Sequence, residues 1–87
     1  MKIVAKPIDI AVWFDCEGTP HPVRFRMVGE DKAYETYKID KVTMTYMEKI
    51  AGNPTMVFRC KSFIKEVEKL YEIRYEINSC KWILFKI

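Results

Sequence analysis

The stretch Thr19-Pro20-His21-Pro22-Val23-Arg24-Phe25-Arg26-Met27 restricts the fold more than any other part of the chain. Its two prolines lack an amide donor and hold the backbone extended, so regular pairing is expected to begin beyond them. From Val23 onward, apolar and basic residues alternate. Val23, Phe25 and Met27 fall on one face and Arg24 and Arg26 on the other, the period of a strand with one face on a core and one in solvent.

The same design recurs on both sides. Ile8, Ile10, Val12 and Phe14 alternate with Asp9, Ala11, Trp13 and Asp15, which predicts an earlier strand with Trp13 on its outer face. Cys16-Glu17-Gly18 and Gly29-Glu30-Asp31-Lys32 supply turns. Tyr34 to Met47 is long for one strand, and its parity slips. Tyr37 and Ile39 share one face, whereas Val42, Met44 and Tyr46 continue on the other, so a β-bulge at Asp40-Lys41 is expected. After Gly52-Asn53-Pro54, Thr55 to Ser62 alternates again. Residues 63–70 admit two readings. Phe63, Val67, Leu70 and Tyr71 fit helical spacing with Ser62 as cap, but the alternation of Tyr71, Ile73, Tyr75 and Ile77 favours a hairpin turning near Lys65-Glu66. Trp82 to Ile87 closes the chain, apolar on both faces except at Lys86.

These segments predict an all-β domain over residues 1–87: a six-stranded antiparallel meander curled into a small barrel or strongly coiled sheet, with a short helix near 63–70 as the alternative to a hairpin. First and last strands would meet at a seam and remove both edges. With 87 residues there is room for one core, and a chain of this length buries only about 60–65% of its unfolded surface.

Charge and cysteine content narrow the function classes. Lys and Arg exceed Asp and Glu by 15 to 12, a mild excess that neither demands nor excludes an anionic partner. No apolar run approaches the length of a membrane span and no signal peptide is legible, so a cytoplasmic location is the default expectation. The three cysteines, Cys16, Cys60 and Cys80, form no C-x-x-C pair and read as reduced thiols.

The order Pro22-Val23-Arg24-Phe25-Arg26, Tyr37-Lys38-Ile39-Asp40-Lys41-Val42, Ala51-Gly52-Asn53, Phe58-Arg59-Cys60 and Cys80-Lys81-Trp82-x-Leu84-x-Lys86-Ile87 resembles a group of short bacterial β-rich proteins. That likeness covers residues 20–87 and implies no activity and no catalytic residue. A second bacterial family, with a P-x-x-F-x-W-x-G…Y-x-V core and genes that often neighbour those of translesion DNA polymerases, is similar at Pro22, Phe25, Gly29 and Tyr37. Met27 stands where that family has tryptophan, and the spacing to the tyrosine differs.

Three constellations carry chemistry. Cys16, His21, Cys60 and Cys80 have the ligand types of a zinc site, but a meander separates Cys60 from the other three, so no metal is expected. Asp15, Glu17 and His21 could form an acid/base cluster; with no second histidine, nucleophile elbow or phosphate loop, the expectation is a protein with no catalytic residues and no cofactor. Arg24, Arg26, Lys38, Arg59 and Lys61 share the outward parity of three successive strands, a basic stripe suited to nucleic acid unless Glu72 and Glu76 neutralise it. The leading expectation is a non-enzymatic binding module with nucleic acid as ligand. The alternative is a self-associating interaction module, with Trp13, Trp82 and Leu84 in a homo-oligomer interface or with Ile3-Val4-Ala5 folded over Trp13 instead.

Overall fold

A computed structural model describes residues 1–87 as eight antiparallel strands without helix. They are β1 (Ile3–Pro7), β2 (Asp9–Phe14), β3 (Pro20–Val28), β4 (Tyr34–Lys38), β5 (Lys41–Ile50), β6 (Asn53–Ile64), β7 (Val67–Glu76) and β8 (Lys81–Lys86). Two sheets result, one of five strands in the order β1-β8-β7-β6-β5 and one of three in the order β2-β3-β4. No helix is long and apolar enough to cross a membrane.

The expected all-β class holds, but the strand count rises from six to eight because the chain changes sheets at two corners. At the first, the Ile8 amide donates to Trp82 O in the five-stranded sheet, and the next residue, Asp9, already pairs with Arg26 in the three-stranded one. At the second, the Ile39 amide donates to Val23 O at 2.9 Å and the Asp40 amide to Lys61 O at 3.1 Å. The parity slip in residues 34–47 is therefore the signature of a strand handed from one sheet to the other. A bulge does exist nearby, between Val42 and Met44.

The barrel does not close, and β1, β5, β2 and β4 are left as edges. Ala5 of β1 and Ile50 of β5, on the two edge strands of the five-stranded sheet, nonetheless line one pocket. The expected seam between the Ile8–Phe14 strand and the last strand does not form, because β2 pairs with β3 in the other sheet; β8 is met instead by β1, where Ile3 pairs with Lys86 and Pro7 with Ile83. That pairing commits Ile3-Val4-Ala5 to β8, so the segment does not fold over Trp13.

The main core lies between the sheets. Phe25 and Ile39 from the three-stranded side meet Phe58, Cys60, Tyr71, Ile73, Trp82 and Leu84 from the five-stranded side. Residues 63–70 form a hairpin with no helix. Ile64 pairs with Val67, and Lys65 and Glu66 both take positive φ, as a two-residue type I′ turn requires. Ser62 ties this hairpin to the other sheet, its hydroxyl meeting Tyr71 Oη and donating to Lys38 O at 2.6 Å. The Phe63 amide donates to Asp40 Oδ2 at 2.8 Å beside it.

Candidate nucleic-acid interface

The outer face of the three-stranded sheet is set by β3. Phe25 is buried inward, which turns Arg24 and Arg26 outward, and register brings Lys38 opposite Arg24, Thr36 opposite Arg26 and Tyr34 opposite Val28. On the other side of β3, Ala11 lies opposite Arg24 and Asp9 opposite Arg26. Simple alternation would put His21 on the core face with Phe25. The register shift between Ala11 and Val12 leaves Val23 as an extra residue in β3, and that bulge reverses parity. Pro20 and Pro22 are thereby turned toward the interior, and His21 emerges outside, opposite Trp13.

Aromatic rings flank the cations at both ends of this face. The Trp13 indole stacks on the His21 imidazole with centroids 4.1 Å apart and remains 55% exposed. At the far end the Arg26 guanidinium lies over the Tyr34 ring, 4.4 Å from its centroid. Seven residues of β3 with one bulge separate the two platforms, a span of roughly 20 Å. Arg26 also donates to Asp9 Oδ2 at 3.0 Å, a pair exposed on both sides. Arg24 and Lys38 have no ion-pair partner.

Asp15 holds the Trp13 end in place. Its Oδ1 accepts the amides of Glu17 and Thr19, Oδ2 meets His21 Nε2 at 2.9 Å, and Gly18 at φ +84° completes the turn. The His21 hydrogen bond, aided by the Thr19 amide, holds the Asp15 carboxyl below its ordinary value. Of the acid/base candidates, Asp15 and His21 thus meet, while Glu17 contributes its backbone amide.

The other two members of the basic stripe are elsewhere. Arg59 and Lys61 lie on β6, facing away from buried Phe58 and Cys60, so they belong to the back of the five-stranded sheet. There Arg59 faces Glu72, Nε to Oε1 at 3.6 Å, and Lys61 sits between Lys41 and Leu70. Five cations therefore divide into Arg24, Arg26 and Lys38 on one surface and Arg59 and Lys61 on another. Trp82 and Leu84 also require correction as interface residues. Both point into the core, Trp82 stacked on Tyr75 with centroids 4.5 Å apart, and β8 turns Ile83 and Phe85 to the other side. Trp13 alone of the three is exposed.

Cys60 is buried, which pushes its thiol up to about 12, whereas Cys16 and Cys80 are exposed. No three His, Cys, Asp or Glu side chains stand together as a metal site. Tyr34 and Trp13 were not legible as one surface in the sequence, because they lie on different strands and only the register about β3 joins them. The chain has no significant match among protein-family models, curated proteins or solved structures.

Proposed function

We propose that the protein is a non-enzymatic binding module for single-stranded nucleic acid, using the outer face of the three-stranded sheet. The observation that carries this reading is the alternation of stacking surface and cation across that face: Trp13 with His21, then Arg24 and Lys38, then Arg26 against Tyr34. A single strand offers phosphates for the cations and unpaired bases for the rings, and each stacked base contributes about 1–3 kcal/mol. A duplex keeps its bases stacked inside and leaves Trp13 and Tyr34 without partners. Arg59 and Lys61 take no part.

Titration of an end-labelled oligonucleotide of about ten residues, at low salt where backbone attraction is greatest, tests the proposal. Binding should quench the exposed Trp13 and weaken in both Trp13→Ala and Tyr34→Ala variants. No binding at low salt, or binding indifferent to both substitutions, ends this reading.

Self-association remains the second function, favoured by the open edge of β5. That strand runs ten residues, pairs only with β6 and carries Met44 more than half exposed. Sedimentation equilibrium tests it: a strict monomer at high protein concentration removes it.

A further inference from the structure

The back of the five-stranded sheet should be a solvated face, yet Thr55, Val57 and Glu72 on it are all buried. This face carries a concavity to which all five strands contribute. At one end lies a pocket of about 250 Å3 with Ala5, Ile50, Ile83 and Phe85 as apolar walls and Arg74 and Glu76 as its charged groups. Cavities of about 150 Å3 accept benzene, so this one suits a body of roughly six to ten non-hydrogen atoms.

The polar groups leave donors unused. Glu72 is 1% exposed and has both oxygens engaged, Oε2 by Arg74 Nε at 2.9 Å and Oε1 by Arg59 Nε at 3.6 Å. Two guanidiniums share this one carboxylate, and Glu76, the second carboxylate at the pocket, balances them in formal charge. The Arg74 guanidinium is fixed flat on the Phe85 ring, 3.3 Å from its centroid, and its Nη groups make no hydrogen bond within the protein. Glu76 accepts the Ser79 hydroxyl on Oε1 at 2.9 Å. The donor capacity left in the pocket is thus a guanidinium edge held over Phe85 beside apolar walls, with the Glu76 carboxylate as its acidic neighbour.

We propose that this pocket binds a small carboxylic acid, its apolar body against Ile50, Ile83 and Phe85 and its carboxylate on the Nη groups of Arg74. The site is separate from the nucleic-acid face and does not depend on it.

Two-dimensional NMR with octanoate, octanol and octylamine tests the assignment on the intact chain. Octanoate should shift the Ile50 and Ile83 methyls saturably and bind about tenfold more tightly than octanol, the difference one charge-assisted hydrogen bond supplies. Glu76→Gln should tighten octanoate and leave octanol unchanged. Ile50→Trp should block the pocket and abolish both, with the Arg59–Glu72–Arg74 cluster untouched. Absence of saturable shifts in the wild type overturns the proposal, as does octylamine binding as well as octanoate.

Discussion

Salt dependence separates the two basic surfaces, because each phosphate contact on a single strand contributes about 0.7 to the slope of log K against log salt. Arg24, Arg26 and Lys38 offer three contacts, so the wild type should show a slope of about −2 and lose roughly twentyfold in affinity between 50 and 200 mM salt. Lys38→Ala should bring the slope to about −1.4, and the triple alanine variant should leave almost none. Lys61→Ala and Arg59→Gln, on the other sheet, should leave the slope where it was. Asp9→Asn is informative in the opposite direction: it releases Arg26 from its 3.0 Å pair and should tighten binding. Fluorescence anisotropy across a salt series, with circular dichroism to confirm folding of each variant, supplies the measurement. A slope that flattens as much with the Arg59 and Lys61 changes as with the Arg24 and Arg26 changes would refute the division of the stripe into two surfaces.

Three further outcomes are expected. Arg74→Met should cost about 3–5 kcal/mol in urea unfolding because it strands the buried Glu72 carboxylate, whereas Arg59→Met, removing a longer and half-exposed contact, should cost clearly less; equal costs would contradict the geometry. Replacing Lys65-Glu66 by Asn-Gly should stabilise the fold by about 1 kcal/mol, since both residues now hold a left-handed conformation that Asn and Gly adopt more readily, and destabilisation would mean that the turn is not type I′. Under native conditions a disulfide reagent should modify Cys16 and Cys80 rapidly and Cys60 only after denaturation. The raised Cys60 value has a further sign: its burial favours the fold fully below pH 9, and that contribution is lost as pH climbs toward 12.

The hairpin at Lys65–Glu66 was legible because Tyr71 through Ile77 keep strict alternation that no helix shares. The slip between Ile39 and Val42 was legible as an anomaly but not in its cause. A bulge within one sheet and a transfer between two sheets reverse parity alike, and only the partners of Ile39 and Asp40 tell them apart. Residues 3–7 gave too short an alternation, ended by Pro7, to stand out as a strand, and β8 is apolar on both faces, so sequence had no means of choosing between Trp82 with Leu84 and Ile83 with Phe85. The proposed binding face was half visible. Arg24, Arg26, Lys38 and an outward Trp13 follow from local alternation, but His21 is displaced to that face by a bulge whose only sequence cue is a valine after a proline, and only cross-strand register brings Trp13 and Tyr34 onto the same surface as the cations.

The pairing of Ile3 with Lys86 gives synthesis a fixed order of events. The β6–β7 hairpin closes through a two-residue turn and can form as soon as both strands have left the ribosome, while β1 has no hydrogen-bonding partner until β8 appears. At about 5–20 residues per second, β1 waits for some 4–16 seconds as an unpaired strand. Through that interval Ile3 and Val4 have no ladder partner, and Lys2 and Lys6 on either side of them place on the strand the charges that oppose pairing with other chains.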